Sequence, residues 1–278
     1  MIRRSLLART LAGVCAATLL SVSSFAAHAD QLADVKKAGV LVVGTELQFA
    51  PFDFLEGGKQ TGLNKDLFEE IGKEMGVKVR FIDLPWPSVL PGLEAKNFDV
   101  VGGPIIVTKA RKERYRFVSP IAEATVALLA SARKDEIAKP EDIAGKTVGA
   151  GKGSAQLAEL KTFAATLTEP VTIREYVDNN QAYADLAAGR IQAVANSLPN
   201  ISYVAAQRSN VFRVVQPPFG NTSYFAYLGR KDDDAAALLD AIDASIKKIK
   251  ADGRLADIQK KWLGAEMDVP EGDFEPSW

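Results

Sequence analysis

The chain has 278 residues with 34 basic and 35 acidic side chains, so it lacks the excess of positive charge typical of nucleic-acid binding. Its single cysteine, Cys15, and its single histidine, His28, both lie near the amino terminus. If that region is removed, the rest of the chain has no cysteine and no histidine. It therefore cannot form a disulfide, a Ser-His or Cys-His nucleophilic pair or an ordinary zinc site.

Residues 1–29 have the pattern of a cleavable signal peptide. Three arginines occur in the first nine residues, and residues 10–27 are apolar or small throughout. Ala27-His28-Ala29 then places small residues on either side of a larger one, as signal peptidase requires. A membrane anchor is the alternative, but the run is rich in Ala, Ser and Thr and ends in a cleavage pattern. We therefore expect an exported, periplasmic protein that begins at Asp30.

From Gly39 onward, short β-branched segments alternate with longer amphipathic ones. The periodicity predicts strands over residues 40–45, 77–82 and 98–102, and helices over 64–75 and 86–96. After a strand at 125–130 and a charged linker at 133–142, a second unit follows, with strands at 147–150, 171–173, 191–195 and 211–215 and helices at 155–166 and 181–188. This alternation predicts mostly parallel sheets flanked by helices.

The last elements predict that the chain returns to its first lobe. A strand over residues 224–229 is followed by helices over 232–250 and 254–263, and these helices have no sheet of their own to cover. We therefore expect two lobes, with lobe 1 formed by residues 30–122 plus 222–278 and lobe 2 formed by residues 123–221. Two chain crossings make a hinge, and small ligands commonly bind in a cleft between lobes.

Several local motifs occur in a characteristic order along residues 30–278. They are Val43-Gly44-Thr45-Glu46, Thr61-Gly62-Leu63-Asn64-Lys65-Asp66-Leu67, Thr108-Lys109-Ala110-Arg111, Asp142-Ile143-Ala144-Gly145-Lys146-Thr147-Val148-Gly149, Leu186-Ala187-Ala188-Gly189-Arg190 and Lys261-Trp262-Leu263-Gly264. Each motif is weak alone, but the ordered set resembles family 3 of the extracellular solute-binding proteins, the amino-acid receptors of ABC importers.

The resemblance implies a particular fold and function. The fold is the α/β two-lobed periplasmic binding protein fold of type II, in which two strands form the hinge. The function is capture of an amino acid or a similar carboxylate by hinge closure, followed by delivery to an inner-membrane ABC permease. Such a protein is a monomer, needs no cofactor or metal and is not an enzyme.

In the family, the arginine of a Thr-x-x-Arg motif holds the α-carboxylate of the ligand, which assigns this role to Arg111. Its planar guanidinium can grip a carboxylate with two parallel charge-assisted hydrogen bonds. Thr108 either adds a hydroxyl to the ligand or only caps the helix that follows. Gly103 belongs to the segment before the motif and is also expected in the ligand-binding region.

Other candidates come from both predicted lobes. Similar receptors place aromatic walls where this chain has Trp86, Phe49 and Phe52, and a place in the core is the equal alternative for the two phenylalanines. On the second lobe, Gly153 and Ser154 lie between a strand and a helix, where backbone N–H groups can face an anion. An ordinary tight turn is the alternative there.

One position departs from the family pattern. After the strand ending near Ala195, the acid that usually pairs with the ligand's ammonium group is replaced by Ser197. A cation in a closed cleft without a countercharge is costly. Either Glu46, which follows the first strand, takes this role, or the ligand is not a standard free α-amino acid. Opine-like amino acids and other organic acids are the alternative ligands.

Two further functions compete with the receptor. A cyclohexadienyl dehydratase-like enzyme is expected to carry an acid soon after Ala195, where Ser197 to Asn200 offers none, and no general acid with a pKa near neutral is apparent in the sequence. A sensor domain of a signalling receptor is expected to precede a transmembrane segment, and no such segment is apparent after the domain in this sequence. Signalling through a separate partner protein is the remaining form of this alternative. The sequence therefore favours the receptor.

Overall fold

The computed structural model describes residues 30–134, 136–272 and 274–276, so the expected signal peptide lies outside the described residues. The strands are β1 Val40–Thr45, β2 Gln48–Phe49, β3 Asp53–Glu56, β4 Lys59–Thr61, β5 Lys78–Asp83, β6 Val100–Ile106, β7 Tyr115–Phe117, β8 Ala122–Glu123, β9 Val126–Ser131, β10 Thr147–Gly151, β11 Thr172–Tyr176, β12 Ala193–Ser197, β13 Phe212–Val215 and β14 Tyr224–Arg230.

The helices are α1 Gln31–Ala38, α2 Leu63–Met75, α3 Trp86–Glu94, α4 Lys109–Arg114, α5 Ala155–Ala164, α6 Asn179–Ala187, α7 Leu198–Gln207, α8 Asp233–Ala251 and α9 Arg254–Leu263, with a short 3-10 helix at Pro140–Ile143. Side-chain caps begin several of them, such as Asp232 at α8, which accepts from the Ala235 amide at 3.0 Å. Across the residues that the structure describes, no helix is long and apolar enough to cross a membrane.

The first lobe contains a sheet with the strand order β5-β1-β6-β14-β7, and β8 pairs with β14. Strands β5, β1 and β6 are parallel, whereas β14 runs antiparallel to β6. Helix α2 buries Leu67, Phe68 and Ile71 beneath this sheet, in agreement with the helical periodicity of the sequence. Strand β14 lies in this sheet between β6 and β7, and helices α8 and α9 both contact α2. We therefore propose that these three elements complete the first lobe.

The second lobe contains a sheet with the order β11-β10-β12-β9-β13, in which β9 and β13 are antiparallel to their neighbours. The chain enters this lobe between β8 and β9 and leaves it between β13 and β14. The two crossings lie side by side, because the Ala124 amide donates to the Ser223 carbonyl at 2.7 Å. This arrangement supports lobe limits at residues 122/123 and 221/222, which we propose as the boundaries.

The structure adds elements that periodicity does not reveal. Strands β2, β3 and β4 form a small antiparallel sheet between β1 and α2, and helix α7 occupies the segment after β12. Strand β6 also extends to Ile106, although Pro104 lacks an N–H group. Pro104 is tolerated because β6 pairs with β1 only at Val100 and Val101, and its pairing with β14 shifts register between Ala226 and Leu228.

Candidate functional site

A cavity lies between the two sheets and encloses about 630 Å³ of space, part of it continuous with solvent. Most of its walls come from the carboxyl-terminal parts of β1, β5, β6, β10, β11 and β12 and from the segments that follow them, and Phe49 of β2 and Phe225 of β14 complete the lining. In open α/β sheets, ligands bind at these strand ends because the loops there converge. The lining residues are Glu46, Phe49, Trp86, Val89, Gly103, Pro104, Ile105, Ile106, Arg111, Gly151, Ser154, Gln156, Tyr176, Val177, Asn179, Asn196 and Phe225.

Arg111 lies in the first turn of α4, which Thr108 caps by accepting from the Arg111 amide at 3.3 Å. Its guanidinium donates from Nη1 to the Ile106 carbonyl at 2.9 Å and lies 5.5 Å from the ring centroid of Trp86. Burial lowers the Arg111 pKa to about 10, so the side chain stays charged at neutral pH. Among the described residues, no carboxylate forms an ion pair with it.

Glu46 follows β1 and is only 8% exposed. Its Oε1 atom is buried and has no hydrogen-bond partner in the described part of the chain. Burial, together with the negative charges of Asp178, Asp83 and Asp53, raises the Glu46 pKa to about 8. The sequence did not reveal a group with a pKa near neutral, and the structure corrects that expectation, because Glu46 is mostly protonated at pH 7 when the cavity holds no cation.

The aromatic residues expected at the site separate into two groups. Trp86 and Phe49 line the cavity, whereas Phe52 is completely buried behind it. Phe52 packs edge-on against Phe225, with ring centroids 5.0 Å apart, and Phe225 reaches the cavity. Phe52 therefore supports the aromatic wall from the core side.

Lobe 2 lines its side of the cavity with hydroxyl and amide groups. Ser154 caps α5 by accepting from the Leu157 amide at 3.0 Å, and it lines the cavity together with Gly151. Gln156 donates to Asn196 at 3.3 Å, and Asn196 donates to the Tyr183 hydroxyl at 2.9 Å. This side of the cavity thus offers neutral polar groups, and Glu46 is the acid among the lining residues.

Three other expected residues lie near the cavity but do not line it. Thr108 is buried and acts as the α4 cap, and Gly153 is exposed in the turn before α5. Ser197 is completely buried at the start of α7, with its hydroxyl hydrogen-bonded to Asn200. Gly103, by contrast, lines the cavity beside Pro104.

Several lining residues were missed by sequence reasoning, namely Gln156, Tyr176, Val177, Asn179, Asn196 and Phe225. Asn196 directly follows the predicted strand 191–195, and Tyr176 lies just beyond the predicted strand 171–173. The rule that ligands bind at the carboxyl ends of parallel strands was therefore sufficient to mark both. Phe225 carries no such signal, because it lies within an antiparallel strand.

Comparison with known proteins places this architecture in a family. The model of the bacterial extracellular solute-binding proteins, family 3, matches residues 41–265. The L-cystine-binding protein TcyJ of Escherichia coli strain K12 is 28% identical over 263 residues, which cover 93% of this chain and 96% of that protein. The L-cystine-binding protein TcyA of Bacillus subtilis strain 168 is 29% identical and covers 86% of both chains.

Solved structures agree with this assignment. An ancestral arginine-binding protein bound to arginine is 31% identical, with a TM-score of 0.75 over 81% of this chain and 99% of that one. The ancestral amino acid-binding protein AncCDT-1, a precursor of cyclohexadienyl dehydratase, is 28% identical, with a TM-score of 0.76 over 84% of this chain and 100% of its own. The chain therefore belongs to the bacterial extracellular solute-binding proteins, family 3.

Proposed function

We propose that this protein is the periplasmic receptor of an ABC importer and that it captures an amino acid or an amino-acid-like carboxylate. The observation that carries the proposal is a charged guanidinium and a buried acid in one cavity between two lobes, neither of which has an ionic partner in the described part of the chain. Relatives named as cystine- and arginine-binding proteins support an amino-acid solute.

In this proposal, Arg111 binds the carboxylate of the solute. Its remaining N–H groups supply the bidentate contact, because within the described residues only Nη1 is used, by the Ile106 carbonyl. The amino end of α5, at Gly151 and Ser154, faces the same cavity from lobe 2 and favours negative charge there. The carboxylate is then held from both sides as the lobes close.

Glu46 binds a cationic group of the solute. Ser197, which replaces the acid usual in similar receptors, cannot contribute a charge and does not line the cavity. Trp86 and Phe49 cover the apolar part of the solute and can also attract a cation. Both standard amino acids with a free amine and opines with a secondary amine satisfy this arrangement.

The remaining features belong to the same proposal. Residues 1–29 act as the signal peptide, the mature protein begins at Asp30 as a monomer, and the closed form delivers its solute to an inner-membrane permease without covalent chemistry. Intact mass of the exported protein tests the cleavage after Ala29, and a mass that retains residues 1–29 contradicts it.

A thermal-shift screen tests the central proposal. The protein is unfolded and refolded to remove any carried solute and is then mixed with L-arginine, L-cystine, octopine or small organic acids. A ligand at 100 times its dissociation constant adds about 2.7 kcal/mol to the free energy of unfolding. We expect Arg111→Met to lose this response. Arg114→Met, which changes an exposed arginine of the same helix, is expected to keep it. An Arg111→Met protein that responds like the wild type contradicts the proposal.

A dehydratase-like activity is the second candidate, and the raised pKa of Glu46 is the observation that favours it, because a protonated carboxyl can act as a general acid at neutral pH. Incubation with prephenate or arogenate, followed by absorbance of an aromatic product, distinguishes the two. The receptor proposal expects no product. If the wild type forms an aromatic product and Glu46→Gln does not, the receptor proposal is wrong and the protein is a dehydratase-like enzyme.

A further inference from the structure

A partly buried hydrogen bond joins the two lobes beside the cavity. The side-chain amide of Asn200, in the first turn of α7 in lobe 2, donates from Nδ2 to the backbone carbonyl of Ala50 in lobe 1 at 2.7 Å. Asn200 is only 1% exposed. Because Asn200 and Ala50 belong to different lobes, this contact exists only when the lobes meet.

The orientation of this amide is fixed by its second partner. The Ser197 hydroxyl hydrogen-bonds to Asn200 Oδ1. A backbone carbonyl can only accept a hydrogen bond, whereas a hydroxyl can donate one, so the Asn200 oxygen must face Ser197 and its nitrogen must face Ala50. Ser197, the position where similar receptors have an acid, therefore orients Asn200 toward the opposite lobe.

The contact adjoins both walls of the cavity. Ala50 directly follows Phe49 and Ser197 directly follows Asn196, and both of these neighbours line the cavity. One turn further along α7, Tyr203 approaches Phe54 of lobe 1, with ring centroids 5.8 Å apart. Helix α7 thus meets the small β2–β4 sheet through a polar contact and an aromatic one.

We infer that Ser197 and Asn200 form a latch that holds the two lobes closed, so that Asn200 is a positioning residue for solute capture. The inference rests on the proposed function in one respect, namely that closure of the two lobes serves to capture the solute. In the open form, the Asn200 amide and the Ala50 carbonyl form hydrogen bonds with water. In the closed form they form a hydrogen bond with each other instead. A net hydrogen bond of this kind favours the closed form by about three- to tenfold.

Small-angle X-ray scattering of the purified protein without added solute tests the latch. Asn200→Asp replaces the donor with a carboxylate that repels the Ala50 carbonyl, so we expect the ratio of open to closed protein to rise at least about threefold and the radius of gyration to increase. Asn210→Asp makes the same substitution at an exposed position of lobe 2 and is expected to match the wild type.

The outcomes separate the latch from other effects. If Asn200→Asp does not fold, as judged by its thermal transition, Asn200→Ala removes the donor without adding charge and takes its place in the comparison. Ser197→Ala is expected to open the lobes by a smaller amount, because the amide keeps its donor but loses its fixed orientation. A radius of gyration equal to that of the wild type in a folded Asn200 variant overturns the inference. A failed solute screen overturns the proposed function but leaves this comparison unaffected.

Discussion

Burial acts in opposite directions on the pKa values of two ionisable side chains that line the cavity, Arg111 and Glu46. Desolvation disfavours the charged form of each, which lowers the pKa of Arg111 to about 10 and raises that of Glu46 to about 8. At pH 7 the arginine therefore keeps its charge, whereas the glutamate mostly holds a proton. A solute with a cationic group must displace that proton before it can pair with the carboxylate.

The affinity for a cationic solute is therefore expected to depend on pH. Only the ionised form of Glu46 can pair with the guanidinium or ammonium of L-arginine, and below its pKa this form increases about tenfold per pH unit. We expect the dissociation constant for L-arginine to fall by up to about tenfold per unit between pH 6 and pH 8. Calorimetric titrations in buffers of different ionisation enthalpy are expected to show proton release on binding.

Glu46→Gln provides the control, because it keeps the shape of the side chain and cannot titrate. Its affinity is expected to be weaker and independent of pH over this range.

Without solute, the folded state of the wild type holds a proton that the unfolded state releases between about pH 4.5 and pH 8. The free energy of unfolding of the wild type relative to Glu46→Gln is therefore expected to fall as pH rises, by at most about 1.4 kcal/mol per unit. An equal pH dependence in both proteins contradicts the assignment.

At the level of elements, the small β2–β4 sheet connects β1 to α2 and carries Phe49 into the cavity. Its attachment depends on a close backbone approach at Gly62, the N-cap position of α2, which has φ +129°. A Cβ atom at this position would lie 2.1 Å from the Phe52 carbonyl oxygen. The adjacent Leu63 and Asn64 amides donate to the Pro51 and Phe52 carbonyls, both at 3.0 Å, so neither segment can move away without breaking these bonds.

Gly62→Ala is accordingly expected to lower the free energy of unfolding by more than about 2 kcal/mol, as a strained φ and a backbone clash combine. Gly57→Ala is the matched control, since Gly57 also has a positive φ, in the turn of the same sheet, but a Cβ atom there meets nothing within 4 Å. We expect the control to lose only about 1 kcal/mol. Equal losses in urea unfolding of both variants show that the clash is relieved elsewhere.

At the level of the whole molecule, the segment from Ala265 to residue 276 ties together parts of lobe 1 that are distant in sequence. Lys250 of α8 donates to the Val269 carbonyl at 2.9 Å, and the Phe274 ring lies 4.9 Å from that of Tyr224 at the start of β14. Val269 is almost completely buried. The family match ends at residue 265, so most of this segment lies beyond the matched part of the chain.

Removal of residues 266–278 is expected to destabilise the protein. The buried Val269 side chain alone contributes about 1.5–3 kcal/mol, and about 2 kcal/mol corresponds to a decrease in Tm of roughly 4–8 °C for a protein of this size. Differential scanning calorimetry measures this change. Glu271→Ala, which alters an exposed side chain of the same segment, is expected to leave Tm within about 1 °C. An unchanged Tm after truncation contradicts a stabilising role.

Much of the fold follows from local sequence, because side-chain periodicity directly reflects whether a segment is a strand or a helix. The observed bounds of β1 and α9 coincide with those expected. Helix α7 was missed because Pro199 and two asparagines resemble a loop, although proline is well tolerated in the first turn of a helix. The β2–β4 sheet was missed because its strands are too short to show an alternating pattern.

The sequence by itself determined the family and the lobed α/β fold, and it marked Arg111 as the first candidate for the site, since motifs and periodicities lie within short segments. Only the tertiary structure decided which side chains share the cavity, because cavity membership depends on contacts between distant segments. It placed Phe49 at the cavity and Phe52 in the core, and it raised the pKa of Glu46 through burial near Asp178. It also paired Ser197 with Asn200, whose amide donates to the Ala50 carbonyl. The burial of a side chain and its hydrogen-bond partners depend on how the whole chain packs, so the residue types alone do not specify them.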